Sequence, residues 1–254
     1  MLKTLDPLML MVRRLADRAP LDAADTAAVL ALPFVRRSIP AGQVIVWDGD
    51  APADSCILLD GFAFRHKSAG SGGRQILSIH MKGDIVDLQN ALLPHSDHNV
   101  QMLTEGELAY IPIAAIRALA FRHPRVGMAM WHETLVEASI FREWILNIGR
   151  RDAHARIAHL LCEFSLRLQR AELGQQQEYE LPISQDQLAD AVSLTPVHVN
   201  RTLMRLEAEG LIKRDRRAIQ IHDWRALATV ADFNPGYLHL PSDDVPAAPF
   251  RLAS

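Results

Sequence analysis

Basic and amide side chains cluster near the C-terminal end of the sequence, in the run SLTPVHVNRTLMRLEAEGLIKRDRRAIQIHD that begins at Ser193. Arg201 can donate two hydrogen bonds to the edge of a guanine, and Asn200 can pair in the same way with an adenine. Residues 195–222 carry six basic side chains and three carboxylates, a net charge of +3, whereas the whole chain carries −3. A local basic patch on an acidic chain is typical of phosphate binding, so we expect duplex DNA as a partner.

Helix-start and helix-stop signals place these side chains on two short helices. Thr195 followed by Pro196 predicts an N-cap and a first helical residue, and Gly210 predicts the end of that helix. Ser184, with Gln187 three residues later, predicts the capping box of a preceding helix. A tight turn between two such helices is typical of a helix-turn-helix. The alternating run GLIKRDRRAIQIHD that follows predicts a β-hairpin wing.

The second of these helices, the recognition helix, has an informative order of charges. Arg201 and Arg205 lie in its first half, while Glu207 and Glu209 lie at its end, which is the reverse of what the helix dipole favours. A helix whose N-terminal half enters the major groove needs its cations there. The alternative is a solvated helix face beside a basic hairpin. The residues expected to contact DNA are Ser184, Thr195, Pro196, Val197, His198, Asn200, Arg201, Arg205, Lys213, Arg214 and Arg216.

Two longer segments precede this region. Residues 34–113 contain short β-rich runs separated by glycine turns, which predicts an antiparallel sandwich or roll. Residues 124–148 predict one long helix in which apolar residues recur every three or four positions. We interpret this stripe as the seam of a homodimer, and the alternative is a helix packed on the core of its own domain. The seam residues are Met128, Trp131, Leu135, Ala138, Phe141, Ile145 and Ile148.

The predicted fold class is α+β, and the chain divides into four parts. Residues 1–123 are expected to form an antiparallel β-roll sensor domain with an N-terminal helix. Residues 124–150 form the dimerisation helix and hinge, residues 151–223 the winged helix-turn-helix, and residues 224–254 a C-terminal extension. The tail from Asp232 to Ser254 contains four prolines, and we expect it to be irregular and partly disordered.

The runs HARIAHLLCEF and LPISQDQLADAVSLTPVHVNRTLMRLEAEGLI resemble the C-terminal domain of the cyclic-AMP receptor and fumarate–nitrate regulator (Crp/Fnr) superfamily of bacterial transcription regulators. The resemblance implies a homodimer that binds a pseudo-palindromic DNA site, with RNA polymerase as a further partner. Arg201 falls on the base-contacting arginine of that family, and Asp152 on the cap after its hinge. Pro196 and Val197 stand where the family usually carries an arginine or serine and a glutamate, a departure that bears on base preference.

The resemblance also implies a cyclic-nucleotide-binding-like roll, but the residues that hold cyclic AMP in the family are replaced. Residues 87–89 (Asp-Leu-Gln) occupy the position of a Gly-Glu-Leu stretch that takes the ribose, and residues 98–100 (His-Asn-Val) the region of the phosphate-binding arginine. Because a buried cyclic phosphate without a cation would be costly, we expect no control by cyclic AMP. Arg65 and Arg74 are the candidates if such a partner exists, and an unidentified small-molecule effector stays open.

Other chemistries have weaker signals. His95, Asp97 and His98 share one loop, but a polar surface loop accounts for them better than a metal site does. The two cysteines, Cys56 and Cys162, lie in apolar runs typical of buried thiols, and they cannot supply the four ligands of an ordinary iron–sulfur cluster. No cofactor or metal is therefore expected, and no feature is specific for haem.

Motifs and hydropathy bear on three other classes: enzymes, regulatory proteins that do not bind DNA, and membrane or secreted proteins. The sequence has no P-loop, no Gly-x-Ser-x-Gly and no His-Glu-x-x-His, so an enzyme is not expected. The alternative to a transcription regulator is a non-DNA regulatory or scaffold protein with a nucleotide-binding-like roll. No apolar run has the length of a membrane span and no signal peptide is recognisable, so a cytoplasmic protein is expected.

Overall fold

The computed structural model describes residues 6–241. The chain divides into two compact units, and the division falls inside one long helix. Among the described residues, the first unit holds residues 6–69 together with residues 78–138, and the second holds residues 70–77 together with residues 139–241. The domain boundaries predicted from the sequence lie before and after this helix, and they stay predictions.

Two sheets are built from the residues between Val35 and Pro112. One has the strand order β1-β8-β3-β6 and the other β2-β7-β4-β5. The strands are β1 (Val35–Ile39), β2 (Val44–Val46), β3 (Asp54–Asp60), β4 (Ala63–Ser68), β5 (Arg74–His80), β6 (Ile85–Val86), β7 (Asn99–Met102) and β8 (Gly106–Pro112). The antiparallel roll predicted from the sequence is confirmed, and β1, β6 and β7 are additional to the predicted runs.

Apolar side chains from both sheets meet in one core. Leu58, Val100 and Leu108 are completely buried there. The register of β3 against β8 shifts between Leu58 and Asp60, and the two backbones approach closely at this point. A Cβ atom on Gly106 would lie only 2.3 Å from the carbonyl oxygen of Asp60, so glycine is required at this position.

One face of the long helix α4 (Pro124–Arg150) packs on the other helices of the first unit. These are α1 (Met9–Ala16), α2 (Ala23–Leu30) and α3 (Ile113–Arg122). The helix predicted over residues 124–148 is thus confirmed as α4. Val126, Ala129 and Met130 belong to the apolar cluster that α1 and α2 also build. Glu133 on the same face accepts hydrogen bonds from the Nε atoms of Arg14 and Arg18 at 2.7 and 2.6 Å, which ties α4 to α1.

A second apolar face of α4 is open to solvent. Its most exposed members, between 52% and 67% exposed, are Met128, Trp131, Leu135 and Ile145. The other predicted seam residues are half-buried: Ala138, Phe141 and Ile148. The residues of α4 that pack on its own domain are therefore different from those of the predicted seam. The role of the seam residues in a dimer stays a prediction.

The second unit is mainly helical, and its elements after α4 are α5 (Ala153–Arg170), β9 (Glu178–Glu180), α6 (Gln185–Val192), α7 (Pro196–Ala208), β10 (Ile212–Asp215), β11 (Ala218–Ile221) and α8 (Trp224–Val230). Asp152 caps α5 as predicted, because its carboxylate accepts from the Ala155 N–H at 2.9 Å. The predicted wing is the β10–β11 hairpin. Strand β9, which extends the hairpin to the sheet β10-β11-β9, is additional to the prediction.

The C-terminal extension is packed rather than irregular as far as Leu238. Residues 235–238 form a 3-10 helix, and Phe233 is buried with its ring 5.1 Å from the ring of His159 in α5. The hydroxyl of Tyr237 donates to Glu163 of α5 at 2.7 Å, and the same carboxylate accepts from the indole N–H of Trp144 at 2.9 Å. The prediction of an irregular chain is wrong for this stretch, because its aromatic side chains add to the core. The last part of the extension, residues 242–254, lies outside the described residues.

The two cysteines are buried, as the sequence predicts. Cys56 and Cys162 are buried free thiols, and burial raises the pKa of both well above the usual range. Neither thiol is therefore a ready nucleophile. Among the helices of residues 6–241, none has both the length and the apolar character of a membrane span.

Candidate nucleic-acid interface

The recognition helix α7 begins and ends as the sequence predicts. The Thr195 side chain accepts a hydrogen bond from the His198 N–H at 3.3 Å, and Pro196 lies in the first turn. The helix ends at Ala208, and Gly210 follows with a φ of +71°. Glycine adopts this left-handed conformation readily, so the chain can turn directly into the wing.

The two faces of α7 differ sharply in character. The inner face is buried and consists of Val199, Thr202, Leu203 and Leu206. On the opposite side, positions i, i+4 and i+7 form one exposed line, occupied by Val197, Arg201 and Met204. This line and its exposed neighbours form a surface that we name the α7 stripe, consisting of Val197, Asn200, Arg201, Met204 and Arg205. Packing within the chain thus leaves the stripe accessible to a ligand.

Helix α6 and the turn hold α7 in place. The predicted capping box is present: the Ser184 hydroxyl accepts from the Gln187 N–H at 3.2 Å, and the Gln187 side chain accepts from the Ser184 N–H at 2.8 Å. Ser193 ends α6 in the left-handed region, with a φ of +54°. The side-chain amide of Gln185 donates to the Asn200 side-chain oxygen at 3.4 Å, which orients Asn200 from the neighbouring helix.

The basic side chains of this region fall into two groups. Within residues 6–241, no carboxylate forms an ion pair with Arg201, Lys213 or Arg216, and all three are exposed. Arg205 is also exposed but lies 2.8 Å from Glu209 of the same helix. Arg216 occupies the wing turn with a φ of +53°. These positions can supply charge to a phosphate backbone without first breaking a buried contact.

Arg214 differs from the other predicted contacts. Its Nε and Nη2 atoms donate to one carboxylate oxygen of Glu207 at 2.9 and 2.7 Å, and its backbone N–H donates to the other oxygen at 3.0 Å. These hydrogen bonds hold the pKa of Glu207 below its usual value. Arg214 therefore fastens the wing to α7. Sequence spacing alone gave it the same weight as Lys213, because the pairing depends on the hairpin folding back.

The predicted contacts other than Arg214 are exposed. They are Ser184, Thr195, Pro196, Val197, His198, Asn200, Arg201, Arg205, Lys213 and Arg216. They lie on the start of α6, the first three turns of α7 and the wing. The geometry brings base-reading and phosphate-binding residue types onto connected elements, as a DNA-binding surface requires.

A second cluster of charged residues lies inside the β-roll. Arg65 of β4 is 2% exposed, and its guanidinium donates to Asp87 at 2.7 Å and to Glu137 of α4 at 2.6 Å. Its Nε atom lies 2.8 Å from Nε2 of His98, which also lies 2.9 Å from Asp87. The other ring nitrogen of His98 lies 2.7 Å from Asp97. We name Arg65, Asp87, His98 and Glu137 the roll cluster.

The two carboxylates of the roll cluster respond differently to their surroundings. Burial acts to raise the pKa of Asp87, but its contact with His98 and the charge of Arg65 outweigh it, so this pKa lies well below the usual range. Burial raises the pKa of Glu137, and the charge of Arg65 offsets this only in part. The carboxylate of Asp87 is thus held in its charged form more firmly than that of Glu137.

A cavity of about 260 Å³ lies beside Asp87. Asp50 and Asp54 also line it, against a single arginine, Arg37, whose guanidinium carbon lies 5.1 Å from the ring centre of Tyr110. Burial raises the pKa of Tyr110 to about 12, so the phenol is neutral at physiological pH. The cavity therefore presents more negative than positive charge to a ligand. In the described part of the chain, no group of histidine, cysteine and acidic side chains could hold a metal ion.

Comparison with known proteins agrees with this architecture. A model of the cyclic nucleotide-binding domain matches residues 36–123, and a model of the Crp-like helix-turn-helix domain matches residues 155–230. The transcriptional activator protein FnrL of Cereibacter sphaeroides is 26% identical over 232 residues, covering 89% of this chain and 92% of that protein. The nitrogen fixation regulation protein FixK of Azorhizobium caulinodans is 26% identical over 218 residues, covering 85% and 86%. The structure of FixK2 from Bradyrhizobium japonicum has a TM-score of 0.73 at 22% identity, covering 78% of this chain and 98% of that one.

A β-roll, a long helix and a winged helix-turn-helix with an exposed basic surface define a transcription regulator that binds DNA. The chain belongs to the Crp/Fnr family of transcription regulators, whose members are not enzymes. The resemblance stated from the sequence is thereby confirmed.

We expect base-reading and backbone-binding residues of this surface to respond differently to substitution. Arg201→Ala should weaken binding to a specific duplex by about 1–3 kcal/mol while leaving random DNA nearly unaffected. Lys213→Ala should weaken both alike and lower the slope of log affinity against log salt by about one. Fluorescence anisotropy at several salt concentrations measures both quantities. Equal losses on specific and random DNA for Arg201→Ala would contradict its assignment as a base reader.

Proposed function

We propose that the protein regulates transcription as a homodimer on a pseudo-palindromic DNA site, without control by cyclic AMP. The observation that carries the dimer is the exposed apolar face of α4, where Trp131 is 61% and Leu135 52% exposed. A helix of 27 residues with one face packed on its own chain and a second apolar face in water is expected to bury that second face against a partner.

A second copy of the same chain is the partner that fits this face best. Its apolar residues continue from Met128 to Ile145, about five turns, and a twofold axis parallel to the helix would bring each residue near its own counterpart. Arg142 is also exposed within this stretch, so its long side chain is expected at the rim of the seam. Two recognition helices related by such an axis would read two half-sites about 34 Å apart.

The roll cluster supports the proposal that cyclic AMP does not act on this protein. A cyclic phosphate needs a cation, and Arg65 is the buried cation of the roll. Its donors already bind Asp87, Glu137 and His98. A phosphate could reach Arg65 only by displacing a carboxylate whose low pKa keeps it charged, and the two anions would repel each other. An effector of this protein would therefore be neutral or cationic, in keeping with the carboxylates of the nearby cavity.

The roll cluster also links the β-roll directly to α4. Arg65 of β4 reaches Glu137 of α4 directly, so strand and helix are joined by a charged hydrogen bond at 2.6 Å. We infer that the protein binds DNA without a small molecule. RNA polymerase at the promoter is the further partner that this function calls for, and the cytoplasm, where bacterial DNA lies, is the place of action.

Substitution on the open face of α4 tests the dimer. Leu135→Glu should leave the fold intact, because Leu135 is exposed, but should place two like charges in the seam and weaken self-association by roughly 3 kcal/mol or more. Val35→Glu is a matched control, since Val35 of β1 has a similar exposure of 56%. Sedimentation equilibrium measures the dissociation constant. A monomeric wild-type protein, or a Leu135→Glu variant as dimeric as the control, would contradict the proposal.

Calorimetry with cyclic AMP and cyclic GMP tests the absence of nucleotide control. We expect no binding at micromolar concentrations and no change in affinity for an operator duplex when either nucleotide is added. Binding heat in this range, or a gain in DNA affinity of about tenfold or more, would contradict the proposal. Loss of that heat in Arg65→Gln would then identify Arg65 as a phosphate partner freed from its carboxylates.

A further inference from the structure

Val197 is an exposed apolar residue in the first turn of the recognition helix. Its side chain is 71% exposed, and it follows Pro196 directly at the N-terminal end of α7. A β-branched apolar residue contributes little to helix formation at such a position, where a polar or acidic residue would suit the helix dipole better. Local stability therefore does not account for valine here.

The neighbours of Val197 indicate what it faces. Arg201 follows it by one helical turn on the same side, and Asn200 by three residues, so the valine belongs to the α7 stripe. Met204, 58% exposed, follows by two turns. Apolar and hydrogen-bonding side chains thus alternate along one accessible face, whereas the opposite face of α7 is packed against the domain.

The major groove of DNA offers one apolar group at base level, the C5-methyl of thymine. The other base edges in this groove are hydrogen-bond donors and acceptors, which a valine cannot satisfy. When a recognition helix enters the groove, residues of its N-terminal half reach the base edges. A solvent-exposed valine one turn before a base-reading arginine is thus placed to contact a thymine methyl group.

We propose that Val197 is a specificity-determining residue that selects thymine through contact with its C5-methyl group. One helical turn advances about 5.4 Å, and successive base pairs are about 3.4 Å apart. The thymine should therefore lie within about two base pairs of the guanine read by Arg201. The inference rests on the proposed DNA interface, and it names a base that this interface selects.

Replacing the thymine by deoxyuridine tests the contact directly, because it removes the methyl group and keeps the base pair. The duplex is one enriched from a random library by the wild-type dimer, with the thymine nearest the guanine replaced in both half-sites. Loss of one buried methyl group should weaken wild-type binding about fourfold per half-site. Val197→Ala should bind the thymine duplex more weakly and distinguish the two duplexes by less than about twofold.

Met204→Ala is the matched control, since it removes another exposed apolar side chain of the same stripe and should keep the discrimination between thymine and deoxyuridine. Equal binding of both duplexes by the wild type, or unchanged discrimination in Val197→Ala, would overturn the role of Val197. Failure to enrich any duplex would instead contradict the proposed function. Circular dichroism of each variant verifies that the fold is retained.

Discussion

The structure depends on a constraint in α4, which carries two apolar faces although its own chain can cover only one. Val126, Ala129 and Met130 are buried against the helices of the first unit, and Glu133 binds two arginines of α1 and the residues that follow it. The opposite face remains in water. Because different residues form the two faces, α4 can pack on its own chain through one face and still present a continuous apolar surface to a second chain.

The β-roll keeps the fold of a ligand-binding domain, but the buried arginine of the roll cluster binds side chains of its own chain. The two sheets and their core match the family model for the cyclic nucleotide-binding domain. The buried guanidinium of Arg65, however, is satisfied by Asp87, His98 and Glu137. Removing one partner of a buried ion pair costs about 3–5 kcal/mol. A weakly bound anion is therefore not expected to displace a carboxylate from Arg65. The strength of the roll cluster favours one fixed arrangement of β4 and α4.

Local signals allowed much of the second unit to be predicted from the sequence. The caps at Asp152, Ser184 and Thr195 depend on residues within three positions, and each is found as expected. The wing and the turn between α6 and α7 follow the same short-range rules. The sequence shows that Glu207 is acidic, but it does not show that Glu207 pairs with Arg214. That pairing forms only because the hairpin folds back on α7.

Contacts between residues that are distant in the sequence could not be predicted from such short-range signals. Arg65 lies 22 residues before Asp87 and 72 before Glu137, in strands and helices whose pairing decides the contact. The packing of Phe233 and Tyr237 on α5 is also a contact between distant residues, and the sequence did not predict it. The prolines near these residues instead suggested an irregular chain. Short strands such as β9 carry too few residues for a periodic pattern. The dimer and the DNA contacts remain proposals founded on surfaces that the chain leaves open.

Selection of duplexes from a random library by the purified wild-type protein shows whether two copies joined along α4 read one site with two recognition helices. We expect enrichment of an inverted repeat whose half-site centres are about 10–10.5 base pairs apart, or a multiple of this spacing. Each half-site should contain a guanine. Enrichment of a single, unrepeated motif, or of no motif above random duplexes, would contradict a dimer that reads DNA in this way.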